Sequence, residues 1–253
     1  MAEALSAFHG KRIFITGGNS GIGRAAAEEV ARRGARVAIM GRDRRTLDET
    51  RAALGDDGIA IQGDVSKLPE IDSAVHAIQR SFGALDVLVV SAGVSPILPI
   101  ERVTEEFFDQ VIGINLKGAF FTMQKCAPIL LDGAAVVLLG SSGARKGVGG
   151  MSVYSASKAG LRALARTFSA EWMPRRIRVN VLSPGPVNTP IVRRLGVPDH
   201  IAPQLTESIR QQVPLQRLGE TREIVAALMF LASDDSGYVV GADLRADGGL
   251  TNL

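Results

Sequence analysis

A tyrosine and a lysine, Tyr154 and Lys158, stand four positions apart in the stretch YSASK. Four residues is about one helical turn, so on a helix the two side chains share a face. A free phenol titrates near about 10, too high for acid–base work around neutrality. A neighbouring ammonium favours the phenolate and lowers that value. Such a pair can then pass a proton to or from a carbonyl or alcohol oxygen within reach. The run LLGSSG places Ser141 and Ser142 shortly before the pair, and either hydroxyl could orient that oxygen. Asn115, in VIGINLKGAF, is an amide in apolar company and needs partners if it is buried.

A second constellation lies near the start. TGGNSGIG (Thr16 to Gly23) follows the strand-like RIFIT and opens an alanine-rich helical pattern. Gly17, Gly21 and Gly23 permit a tight turn and let a pyrophosphate approach backbone amides at the helix start. A dinucleotide is the ligand this context implies. Its type turns on the segment VAIMGRDRR, where a carboxylate would accept ribose hydroxyls and repel a 2′-phosphate. Here that place holds Gly41, followed by Arg42, Asp43, Arg44 and Arg45. Arginine suits bidentate phosphate recognition, so NADP(H) is expected over NAD(H), and an aspartate at position 41 is expected to invert the preference.

These groups need a frame. Arg12–Thr16, Arg36–Met40, Ile59–Gln62, Leu85–Val90, Ala134–Gly140, Ile177–Ser183 and Tyr238–Ala246 are continuous apolar runs rich in β-branched residues. Such runs read as strands covered on both faces. Helical patterns such as GIGRAAAEEVARRG and TREIVAALMFLASD lie between them. The alternation predicts an α/β fold, a doubly wound parallel sheet of about seven strands with helices on both faces. Ligands of such sheets bind at the carboxyl ends of the strands, where the glycine loop and the serines fall.

Composition excludes other readings. The 253-residue chain contains no linker, charge block or repeat, so one domain is expected. The apolar run IVAALMFLA is far shorter than a membrane span, and no secretory pattern opens the chain. A cytoplasmic protein without a membrane partner is expected. Cys126 is the sole cysteine, and His9, His76 and His200 lie far apart, so no metal site is expected. The net charge of +3 comes from scattered basic pairs, and aromatics make up 5%, which speaks against nucleic-acid binding.

The loop spacing TGxxxGxG, together with YxxxK, resembles the short-chain dehydrogenase/reductase family. So do SAG (Ser91, Ala92, Gly93), Asn115, the SPGPV turn and the C-terminal block RLGETREIVAALMFLASDDSGYVVGADLRADGG. The resemblance spans essentially the whole chain. It implies carbonyl–alcohol interconversion, with Tyr154 as acid/base and Lys158 tuning it and holding the nicotinamide ribose. Asn115 would support a water-bridged relay. Ser141, thirteen positions before Tyr154, would be the orienting serine, with Ser142 the alternative. Cofactor contacts are implied for Gly17, Asn19, Ser20, Gly21, Ile22, Gly23, Asp64, Val65, Ser91, Ala92, Gly93, Pro184, Gly185, Val187 and Thr189, besides Arg42, Asn115, Tyr154 and Lys158.

Two departures from the family pattern matter. Ser91 replaces the usual asparagine, and the glycine loop lacks the basic residue some NADP-preferring relatives carry, which leaves Arg42 to bear the preference. A substrate lid is expected over about 188–214, its apolar side formed by Ile191, Leu195, Val197, Ile201 and Leu205, with Arg193 and Arg194 either meeting an anionic substrate or facing water. The family also implies a homotetramer acting on a small carbonyl or alcohol substrate. A rival from another class is a non-catalytic NADP-binding redox sensor. Within the enzymes, a 3-oxoacyl-thioester reductase and an NAD-dependent sugar or polyol dehydrogenase remain open.

Overall fold

The structure is a computed structural model that describes residues 7–188 and 202–253. Seven parallel strands form one sheet in the order β3-β2-β1-β4-β5-β6-β7. They are β1 (Arg12–Thr16), β2 (Arg36–Gly41), β3 (Ile59–Gln62), β4 (Leu85–Val90), β5 (Leu130–Leu139), β6 (Arg178–Pro184) and β7 (Asp243–Ala246). The helices are α1 (Gly21–Arg32), α2 (Arg44–Arg51), α3 (Leu68–Phe82), α4 (Glu105–Ile112), α5 (Gly118–Cys126), α6 (Ser152–Trp172), α7 (Ala202–Gln212) and α8 (Thr221–Ala232).

Successive strand residues point to opposite faces, so strands such as β1, β2, β4 and β5 feed two cores. Phe14, Met40, Leu88 and Val136 face one layer with Ile71, Ile78 and Met123. Ile13, Ile15, Ile39 and Val137 face the other with Ala27, Val30 and Leu228. This double burial is why the strands lack polar alternation. Chain order reverses between β1, which pairs with β2, and β4 on its other side. The crevice opens at that switch point.

β2, β5 and β6 differ from the sequence reading by one residue at one end or both, and two boundaries depart further. β5 starts four residues earlier, at Leu130, and its pairing with β4 shifts register between Leu85 and Val87. The last strand keeps only Asp243–Ala246. Before it, Tyr238 is fully exposed and the Asn180 side chain takes the backbone: its Nδ2 donates to the Val239 carbonyl and its Oδ1 accepts from Ala242 N. Gly241, at φ +66, turns the chain into the sheet. β6 backbone also reaches this segment, Gly241 N donating to the Val179 carbonyl and Val181 N to the Ala242 carbonyl, so the apolar run reads as one strand although the Asn180 side chain takes part of its backbone pairing. Thr189 and the lid residues 191–201 lie outside the described residues, as does the side chain of Leu205.

Candidate active site

The glycine loop connects β1 to α1 under tight steric limits. A Cβ on Gly17 would lie 2.9 Å from Ala92 N and Cα, and the residue sits at φ +66. A Cβ on Gly23 would overlap the Gly17 carbonyl, while one on Gly21 would meet only open space. Thr16 Oγ1 accepts from both Ser91 N (3.2 Å) and Ala92 N (3.3 Å), tying the loop to the end of β4. Ser91 therefore keeps the strand ends joined through its backbone. Ser20 starts α1 without a side-chain cap, and no acidic residue stands in the first turn. The N–H groups there, with the positive end of the helix dipole, suit a phosphate.

A cavity of about 520 Å³ extends from this loop, lined by Asn19, Ser20, Gly41, Arg42, Asp64 and Val65 among others. A second, of about 370 Å³, continues past Gly93, Val94 and Ser95, which border both, to Ile22, Ser141, Tyr154, Lys158, Pro184, Gly185 and Val187. Together they form a trough across the switch point with a phosphate-ready helix start beside it. A dinucleotide fits this shape. Gly185 is required there because a Cβ would come within 2.6 Å of Asp247 Cα.

The charges around Arg42 are now definite. Asp43 caps α2, accepting from Thr46 N at 2.8 Å, and these bonds hold its carboxyl below the usual range. Arg44 pairs with Asp48 at 3.0 Å and Arg45 with Glu49 at 2.5 Å. Arg42 has a looser neighbour, Asp64 Oδ2, at 3.8 Å. Asp64 Oδ1 is engaged by Ser66 N and Oγ.

At the other end of the trough, Ser141 Oγ accepts from Gly143 N at 3.1 Å and borders the same cavity as the Tyr154 phenol. Ser142 is the more buried of the two serines, 7% exposed. Lys158, 5% exposed, donates from Nζ to the Leu139 carbonyl at 2.6 Å and lies 6.0 Å from the Tyr154 ring centre. Burial holds the lysine down at about 8. Burial also pushes the Tyr154 phenol up, outweighing the opposite pull of Ser141. The expected lowering of the phenol by the ammonium is thus absent in the chain alone: desolvation wins.

Asn115 sits in a π-helical turn, Gly113–Lys117, between α4 and α5. Its Oδ1 accepts from Val94 N at 2.8 Å, and its Nδ2 donates to the Val94 carbonyl (2.9 Å) and to Ser157 Oγ (3.1 Å). Through Ser157 and Val94 the side chain joins α6 to the loop after β4. Such π-turns concentrate at functional sites.

Sequence reasoning missed Asp243. At the start of β7 it accepts from Arg145 Nε (3.1 Å) and Nη2 (2.9 Å) and from Ser183 Oγ (2.5 Å), and Arg162 Nε stands at 3.0 Å. Arg145 follows the Ser141 turn and Arg162 lies two helical turns beyond Tyr154, so one carboxylate ties both of these elements to β6 and β7. An aspartate inside an apolar C-terminal run was the available signal.

Comparison with known proteins agrees with this geometry. Residues 17–251 match the family model described as enoyl-(acyl carrier protein) reductase. An oxidoreductase of Sarocladium schorii, asL5, is 38% identical over 99% of this chain and 100% of its own length. L-rhamnose 1-dehydrogenase (NAD(P)+) of Azotobacter vinelandii is 37% identical over 95% of this chain and 96% of its own. The crystal structure of levodione reductase superposes with a TM-score of 0.90 at 31% identity, covering 96% of this chain and 98% of that one. With the family model and these relatives matching nearly the whole chain, the chain belongs to the short-chain dehydrogenase/reductase family, an oxidoreductase of nicotinamide-dependent type.

Proposed function

We propose that this oxidoreductase uses NADP(H) to interconvert a ketone and a secondary alcohol, with Tyr154 as general acid/base. The observation carrying this reading is the convergence of Ser141, Tyr154 and Lys158 on one end of a trough whose other end holds Arg42. When bound, the nicotinamide cofactor supplies or accepts the hydride. Ser141 orients the substrate oxygen, its own oxygen being fixed by Gly143 N. Tyr154 gives its proton to that oxygen in reduction and takes it back in oxidation. Lys158 is placed to hold ribose hydroxyls and to favour the phenolate once the site is filled. Asn115 acts by position. Gly17, Ser20, Gly21, Ile22 and Gly23 would cradle the pyrophosphate, and Asp64 with Val65 would meet the adenine.

Support for NADP(H) comes from the β2 end, where Gly41 leaves no carboxylate and Arg42, just ahead of α2, has a looser neighbour in Asp64 at 3.8 Å, whereas Arg44 and Arg45 are paired within the helix. The homotetramer and the cytoplasmic setting belong to the same proposal. No helix among the described residues is long and apolar enough to cross a membrane. Relatives named for rhamnose and for levodione leave the substrate open between polar and apolar classes. The test is absorbance of NADPH and NADH with a panel of ketones in wild type and Tyr154→Phe. Activity with ketones, lost in the variant, is the expected result. Undiminished turnover in Tyr154→Phe would overturn the acid/base role.

A further inference from the structure

Beyond the Ser141–Tyr154 pair the cavity wall changes character. Val94, Ile97, Val148, Met151, Ile209 and Leu218 turn half-buried or exposed apolar side chains toward it. No aspartate, glutamate, histidine, asparagine or arginine lines this cavity among the described residues. The polar groups that do line it are partly engaged with one another: Lys146 Nζ donates to Gln212 Oε1 at 3.2 Å, and Gln212 Nε2 donates to the Ser208 carbonyl.

The wall is also built, not merely exposed. Leu98 N donates to the Gly150 carbonyl at 2.8 Å, joining the loop after β4 to the loop before α6. Gly150, at φ +77, permits this contact, since a Cβ would come 2.7 Å from Ile97 Cγ2. Ile97 and Met151 are thereby held on one wall.

A polyol entering this space would lose hydration at each hydroxyl against a wall that is mainly apolar, its polar groups being scattered serines, Thr206 and the Lys146–Gln212 pair, and every polar group left unpaired is a cost. A hydrocarbon body meets the opposite balance, because it covers apolar side chains that otherwise face water. We infer that the substrate is a ketone or secondary alcohol with a predominantly hydrocarbon body, and not a sugar or polyol. This rests on the oxidoreductase reading above and deepens it.

The test is calorimetric titration of the enzyme saturated with NADP+, using a tert-butyl-substituted cyclohexanol and xylitol as probes, paired with kcat/KM for both. The expected result is binding of the cyclohexanol at least about tenfold tighter than xylitol. Met151→Gln and Val148→Thr, which keep side-chain size, should each weaken the cyclohexanol severalfold while leaving NADP+ affinity unchanged. Tighter binding or faster oxidation of xylitol would overturn the inference and leave the oxidoreductase reading standing. Tight cyclohexanol binding without hydride transfer to NADP+ would support the apolar site while overturning the proposed activity.

Discussion

The Asn19 side chain occupies the space where a side chain on Gly41 would begin: a Cβ there would lie 2.5 Å from Asn19 Cγ. Asn19 is short and is held by its own bond from Nδ2 to Thr46 Oγ1 at 2.7 Å. The absence of a carboxylate after β2 is therefore a packing relationship as well as a matter of charge. An aspartate at 41 does not simply swap a phosphate site for a ribose site, as the sequence alone suggests.

Gly41→Asp should accordingly weaken both NADPH and NADH, because displacing Asn19 disturbs the loop that both cofactors share. Fluorescence titration of the two nucleotides checks this. A clean inversion of preference, with NADH bound as tightly as wild type binds NADPH, would show that Asn19 moves at little cost.

Arg42→Ala is the cleaner probe of the phosphate contact. A charge-assisted hydrogen bond contributes roughly 1.5–3 kcal/mol, so the variant should lose about ten- to a hundredfold of the NADPH-over-NADH ratio in kcat/KM. Arg44→Ala should change the ratio little, since Arg44 already pairs with Asp48. A ratio unaltered in Arg42→Ala would assign the arginines to a solvated helix start.

Tyr154→Phe keeps the ring and removes the proton. Turnover should fall by about 10²–10⁴-fold, the range for loss of a general acid, with NADPH affinity nearly unchanged. Steady-state kinetics alongside nucleotide titration separate the two effects.

Lys158 makes stability depend on pH. Burial lowers its folded-state value to about 8, against about 10.4 for a free lysine. The folded state therefore disfavours the charged form: the cost is complete below about 8 and fades as pH rises toward 10.4. Denaturant unfolding of cofactor-free wild type and Lys158→Met should show the variant's relative advantage shrinking by up to about 3 kcal/mol between about pH 7 and about pH 10.5. A gap independent of pH would mean that the ammonium is well solvated.

Asp243→Ala removes the common partner of Arg145, Arg162 and Ser183. The arginines are partly exposed, which screens the pairs, so the expected loss of stability is about 1–3 kcal/mol. Because Arg145 follows the Ser141 turn, kcat should fall more than cofactor affinity does. Asp243→Asn, which retains an acceptor, should recover part of kcat.

Much of this protein could be read along the chain. The order of strands and helices, the glycine loop and the Tyr154–Lys158 spacing are local patterns, set by apolar period, glycine and helical pitch. The bounds of β1, β3 and β4 therefore stand where the pattern puts them. Other properties depend on approaches between distant segments. Asn180 shortens β7, Asn19 fills the slot beside Gly41, and Asp243 gathers groups as far as 98 residues away. The titration of Tyr154 belongs with these, since desolvation is a property of the packed site and opposes what the spacing alone suggests. Sequence determined which groups are present and in what order. Tertiary structure decided how dry each one is and what it touches, because burial and contact are set by the whole sheet and its two cores.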